Sequence, residues 1–226
     1  MINQSISNAI QCLQTLASSE KPMGIREMGR LLELDPAKVT RIMKTLIALD
    51  LVHQQDNRKY TVGWGLHRLS AVSIHNSSFY KSVIRALESV ENKELNIAIG
   101  VLNKNKVVYL VHTANAASVA QSIGNYEEIL ASRSVTGIML LSRKSDEEIK
   151  ELIGDDEFDL IKEDVELARN GSHYVKAYPF NEYRMARPLI NSQAVIALSN
   201  VICKPDELRK FTDFLDDLAS RIECNN

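Results

Sequence analysis

The run Leu34-Asp35-Pro36, followed by Val39, Ile42, Met43, Leu46 and Leu49, constrains this chain more than any other stretch. Asp35 suits a cap position because its carboxylate can accept from N–H groups that have no partner inside a helix. Pro36 suits the first helical position because its φ is fixed and it has no donor to lose. The apolar residues behind them recur at helical spacing, so the sequence predicts a helix from Pro36 to Leu49 with one buried face. Ala37, Lys38, Thr40, Arg41 and Lys44 fall on the other side and are small or able to hydrogen-bond. At 1.5 Å per residue the rod is roughly 21 Å long, and a DNA major groove about 12 Å wide accepts it lengthwise.

The flanking segments give that helix a setting. Ile6, Ile10, Leu13 and Leu16 predict an amphipathic helix over residues 5–18, with Ser5 as a cap and Ser18-Ser19-Glu20-Lys21-Pro22 ending it. Ile25, Met28, Leu31 and Leu32 predict a second, short helix that turns Arg26, Glu27 and Arg30 outward. Leu51 to Gln55, a turn at Asp56-Asn57, and Arg58 to Gly63 read as a β-hairpin with two cations at its tip. Three helices and a basic-tipped hairpin make a winged helix-turn-helix. The recognition helix must present short donors near its start while the wing cations reach phosphates. The candidate DNA-contacting residues are Arg26, Ala37, Lys38, Thr40, Arg41 and Lys44, with Arg58 and Lys59 on the wing.

Charge is distributed accordingly. The chain of 226 residues has a formal net charge of −2. Residues 1–75 hold nine Lys and Arg against six Asp and Glu, a net +3, and the remainder holds 18 against 23, a net −5. A basic module joined to an acidic body is what an anion-binding domain on a larger partner domain produces, although a solvated surface produces it too. The longest apolar runs, such as Gly137 to Leu141, fall far short of a membrane span, and the start lacks a signal-peptide pattern, so a cytoplasmic protein is expected. Cys12, Cys203 and Cys224 are far apart and odd in number, which predicts core or incidental thiols. The five histidines are scattered, and no phosphate loop, zinc-protease motif or nucleophile elbow occurs, so neither a metal, a cofactor nor an enzyme activity is expected.

Trp64, Leu66, Leu69 and Val72 predict a linker helix with an apolar side and little core of its own to cover, for which a second subunit is the natural partner. Phe79 to Val90 then reads as a strongly amphipathic helix. Strands are predicted at Leu95 to Leu102, Val107 to His112, Ser118 to Ile123, Tyr174 to Ala177, Arg184 to Ile190 and Ala194 to Val201. Helices are predicted from Ser134 to Ser142, from Asp146 behind the capping pair Ser145 and Glu148, from Leu160 to Arg169, and from Pro205 to Arg221. Strands and helices interleave without strict alternation, which predicts a mixed, mostly antiparallel sheet with helices on its faces. The fold class is therefore α+β: a winged helix-turn-helix over residues 1–63, a linker helix over 64–77, and a second domain over 78–226.

The block from Leu34 to Leu46, closed by Leu49-Asp50-Leu51-Val52, resembles the recognition-helix region of the IclR family of bacterial transcription regulators, and Lys59-Tyr60-Thr61-Val62-Gly63 resembles its wing. The resemblance implies a DNA-binding repressor or activator, a homodimer or tetramer on operator DNA, and a C-terminal GAF-like domain that binds a small organic acid effector. It places the effector's carboxylate against Ser134, Val135 and Thr136, with Ser199 lining the same cavity. The residues themselves add Ser132 and Arg133, because hydroxyls, an Arg and free N–H groups at a helix start suit a carboxylate, although ordinary helix capping explains that start too. Departures from the family accompany these matches. Tyr174-Val175-Lys176-Ala177-Tyr178 replaces an acidic run, the candidate pocket residues Arg184 and Met185 stand near the place of the family's pocket cysteine, and Ala197 replaces a frequent serine. They leave two readings open, a larger or more anionic effector held by Arg133, Arg184 or Arg187, or a pocket that binds nothing. An enzyme on the second domain and a tethering module without a ligand are the competing classes.

Overall fold

The structure, a computed structural model, describes residues 2–90, 94–113, 118–124 and 127–223. The chain divides into two compact units, Met1–Ser77 and Ser78–Asn226.

The first unit runs α1 (Gln4–Ala17), α2 (Ile25–Leu31), α3 (Pro36–Ala48), β1 (Val52–Gln54), β2 (Tyr60–Val62) and α4 (Trp64–Asn76). Asn3, and not Ser5, caps α1, its side chain accepting from the N–H groups of Ser5 and Ile6. Cys12, Leu13, Leu16, Met28, Val39, Met43 and Leu46 meet Val52 and Tyr60 of the hairpin in one core. Ile6, Ile10, Leu31 and Leu49, expected to face inward, are exposed. The three helices are short and each covers only part of its neighbour's apolar stripe, so residues away from the contact stay wet.

Two helix ends set the geometry of this unit. Helix α2 closes with the Leu34 N–H donating to the Gly29 carbonyl at 2.8 Å while Glu33 sits at φ 54°. Helix α3 closes the same way, Asp50 N–H donating to Ile47 and Leu51 N–H to Leu46, with Asp50 at φ 59°. Both are Schellman-type ends in which the left-handed residue is not glycine. The Asp50 carbonyl then accepts from Gly65 N–H at 2.8 Å, and a Cβ on Gly63 would stand 2.4 Å from that oxygen. Strand β2 and the start of α4 therefore close directly onto the end of α3. Strand β1 pairs antiparallel with β2, and Met23 exchanges both backbone hydrogen bonds with Tyr60, which docks the hairpin on the helices.

The second unit contains α5 (Ser78–Glu88), β3 (Asn96–Asn103), β4 (Lys106–His112), α6 (Val119–Gly124), β5 (Glu128–Leu130), α7 (Val135–Leu141), α8 (Asp146–Ile153), α9 (Asp155–Asn170), β6 (Tyr174–Tyr178), β7 (Glu182–Pro188), β8 (Val195–Ile202) and α10 (Leu208–Glu223). Its six strands lie in the order β5-β4-β3-β8-β7-β6, and every pairing is antiparallel. One face, with Ile97, Ile99, Met185, Ile196 and Leu198, packs on α5 and α10. The other, with Val107, Ala186, Val195 and Ala197, packs on α7, α8 and α9. With both faces covered, each buried Val, Leu or Ile contributes about 1.5–3 kcal/mol. Arg187, only 13% exposed, ties β7 to α10 through Asp216 at 2.8 Å and Glu223 at 3.2 Å, and His173 joins Asp216 at 2.8 Å.

Three expectations are corrected here. Residues 118–123 are helical and not a strand: the Ser118 hydroxyl accepts from Gln121 N–H while the Gln121 side chain accepts from Ser118 N–H, a reciprocal capping box that starts α6. Helix α9 begins at Asp155, a turn and a half earlier than expected, because Gly154 at φ 88° redirects the chain and Asp155, Asp156 and Glu157 suit a first helical turn. Strand β5 is three residues long and was not anticipated. Cys12 is fully buried, and burial raises its thiol pKa. Cys224 lies outside the described residues. Among those residues no helix is long and apolar enough to cross a membrane.

A Cβ at position 29 would stand 2.8 Å from the Leu34 carbonyl oxygen. Gly29→Ala is expected to destabilise the first unit by about 1–2 kcal/mol, the clash outweighing the roughly 1 kcal/mol by which Ala exceeds Gly in a helix. Denaturant unfolding of the variant measures this, and a gain in stability would show that the turn between α2 and α3 yields freely.

Candidate nucleic-acid interface and effector pocket

The start of α3 is built by Asp35, whose Oδ1 accepts from Ala37 N–H at 2.8 Å and Lys38 N–H at 3.3 Å. The Thr40 hydroxyl donates to the Pro36 carbonyl at 2.8 Å, which commits its proton to the helix and leaves its lone pairs outward. Ala37, Arg41 and Lys44 are exposed, and Lys38 and Thr40 are partly so. Lys38 and Arg41 also border a groove of about 410 Å³ between α1 and α3, shared with Ile6, Ala9 and Ile42. In the wing, Gln55 N–H donates to Lys59 at 2.8 Å and Arg58 sits at φ 61°, so the two cations occupy an exposed, tightly turned tip. Arg26 is exposed on α2.

Among the described residues none of Arg26, Lys38, Arg41, Lys44, Arg58 and Lys59 forms an ion pair, whereas pairs such as Lys106–Glu128 and Arg169–Asp146 recur through the second unit. The six candidate cations of the first unit are thus free to meet an external anion. A surface cation of this kind is held in place by its helix or turn and not by a neighbouring carboxylate.

In the second unit the sequence-predicted residues separate into two groups. Ser132, Arg133, Ser134, Val135 and Thr136 are contiguous at the start of α7, and Ser199 follows Val195 and Ala197 on the face of the sheet that α7 covers. This corner is close-packed: a Cβ on Gly137 would meet the Ala131 carbonyl at 2.0 Å, and one on Gly100 would stand 3.0 Å from the Thr136 methyl. The Ser134 hydroxyl accepts from Gly137 N–H at 2.9 Å, and Ser132 donates to Glu157 at 2.5 Å. Arg133 is exposed. The first N–H groups of α7 have no acceptor within their own helix.

The remaining three residues are not brought there. Met185 is fully buried in the opposite core, against α5 and α10, so the sheet itself stands between it and Thr136. Arg184 pairs with Glu182 at 2.9 Å and lies 4.4 Å over the Tyr178 ring near the β6–β7 turn. Arg187 is committed to Asp216 and Glu223. Along β7, Tyr183 and Met185 face one core and Ala186 the other, so the ordinary alternation of the strand puts Arg184 and Met185 on opposite faces of the sheet.

The family model for the IclR helix-turn-helix domain matches residues 5–56, which span α1, α2, α3 and the start of the wing. Residues 5–56 thus carry a helix-turn-helix domain of the IclR type. The IclR architecture extends to the rest of the molecule. An IclR family transcriptional regulator from Brucella abortus shares the fold with a TM-score of 0.75 at 13% identity, over 99% of this chain and 93% of that one. A regulator from Alicyclobacillus acidocaldarius gives 0.72 at 16%, over 99% of both chains. An IclR homologue from Microbacterium hydrocarbonoxydans, solved in complex with 4-hydroxybenzoate, gives 0.65 at 16%, over 98% of both. No curated protein sequence matches the chain.

Sequence reasoning missed the small residues beneath α7, Ala98 and Gly100 on β3, which let that helix approach the sheet closely. Their register with Ala197 and Val195 of β8 is not visible before the strands are paired. Ser134→Ala removes the N-cap of α7 and is expected to cost about 1 kcal/mol, with Ser134→Thr retaining most of it. Thermal unfolding compares the two, and equal loss in both would mean that Ser134 acts through packing and not through its hydroxyl.

Proposed function

We propose that this IclR-family protein is a sequence-specific DNA-binding transcriptional repressor, which binds as a homodimer or tetramer and is modulated by a small organic acid at its second domain. The observation that carries the reading is the run of unpaired cations on α3 and the wing. Arg41, Lys44, Lys38 and Thr40 meet base edges and phosphates in the major groove, Ala37 lets the helix approach closely, and Arg58 and Lys59 reach phosphate or the adjacent minor groove. Arg26 adds a backbone contact from α2. Repression asks the least of such a protein, because a dimer seated on its operator blocks access without any further contact.

Dimerisation is supported by α4, on which Trp64, Leu69 and Val72 are 81%, 55% and 53% exposed. A second copy of the same helix buries them and sets two recognition helices about 34 Å apart, one helical turn of DNA. For the effector, the segment from Ser132 to Thr136 with Ser199 supports a carboxylate site, the free N–H groups of α7 meeting the charge and Arg133 lying beside it. Arg184 and Arg187 are already neutralised, and Met185 takes no part. The Microbacterium homologue's 4-hydroxybenzoate is a ligand of this chemical class.

Selection of bound fragments from genomic DNA at near-physiological salt tests the reading. An inverted repeat is expected, and Arg41→Ala should weaken binding to it by roughly 1–3 kcal/mol with relaxed preference at one position. A folded dimer that enriches no sequence, with and without 4-hydroxybenzoate, would overturn it. Lys59→Ala should weaken all DNA sequences alike and make the salt dependence shallower by about 0.9 in log–log slope. A loss confined to the selected site would assign Lys59 to base reading instead.

A further inference from the structure

At the far end of α7 from Ser134 lies a cleft of about 360 Å³. Leu102 of β3, Leu140 of α7 and Leu152 of α8 give it apolar walls, and Lys104, Arg143 and Lys144 stand around it with Gln193. No carboxylate lines this cleft, in a domain whose net charge is −5. The volume falls in the range of small-molecule sites, which run from about 300 to 1,000 Å³.

The cations are not needed for local structure. The ending of α7 leaves carbonyls that a basic side chain commonly satisfies, but Arg169 does that work, donating to Ser142 at 3.3 Å and Lys144 at 2.6 Å. Arg143 spends one N–H on the Ser192 carbonyl at 3.0 Å and keeps its other donors. Lys144 has only Glu148, at 3.9 Å. Lys104 is exposed at φ 55° on the β3–β4 turn and has no ion-pair partner among the described residues. Three positive charges from two separate chain segments, gathered over three leucines, match a ligand with one anionic end and an apolar body.

We propose that this cleft is a second ligand site, distinct from the one at the start of α7, and that it takes an organic anion with an apolar body, in the class of medium-chain or aryl carboxylates. The anionic end lies among Lys104, Arg143 and Lys144, and the apolar body covers Leu102, Leu140 and Leu152. The proposal does not depend on the DNA-binding reading.

Calorimetric titration of the full chain with octanoate tests it. One octanoate per chain is expected at this cleft, weakened about tenfold or more in the double variant Lys104→Gln/Lys144→Gln and by a similar factor for neutral 1-octanol. Both lysines reach solvent, so the double variant should keep the wild-type unfolding midpoint. Absence of binding at millimolar octanoate, or binding indifferent to the double variant, would overturn the proposal. Inorganic phosphate competing as well as octanoate would remove the leucines from the site and overturn it as well.

Discussion

The carbonyl oxygen of Asp50 holds the first domain together at one point. Helix α3 ends on it, the Gly65 N–H of α4 donates to it, and Gly63 passes within a distance that excludes a side chain. The position of the wing relative to the recognition helix, and the direction in which α4 leaves, are both consequences of that convergence. It explains why the helix end tolerates a left-handed aspartate. Asp is among the few side chains that visit this conformation at modest cost, and the neighbouring glycines supply the close approach.

Much of this arrangement was readable from the chain. The Asp35-Pro36 start and the apolar stripe behind it gave α3 nearly to the residue, because capping and periodicity are local effects that later packing did not override. Burial was less readable. Periodicity tells which residues share a face, but Ile6, Ile10 and Leu49 stay exposed because coverage depends on how far the neighbouring helix extends. Residues 118–123 read as a strand in continuation of the two strands before them, when the Ser118 and Gln121 pair carried the decisive signal for a helix.

The candidate sites divide along the same line. The recognition helix and wing are contiguous segments whose side chains keep in space the order they have in sequence, so their residues could be named in advance. The effector set draws on distant strands, and the alternation of β7 sends Met185 to the opposite core from the one beneath α7. The cleft of Lys104, Arg143 and Lys144 joins a β-turn to a helix end, and no linear pattern announces such a meeting.

The unpaired cations of the first domain have a consequence for its folding. A small domain with net positive charge and no internal ion pairs among its described residues carries self-repulsion that the compact state concentrates. Polyanions relieve that repulsion only when the cations are held on one surface, which is to say only in the native fold. A polyanion that binds only this native arrangement of cations therefore stabilises the domain by the free energy of its binding.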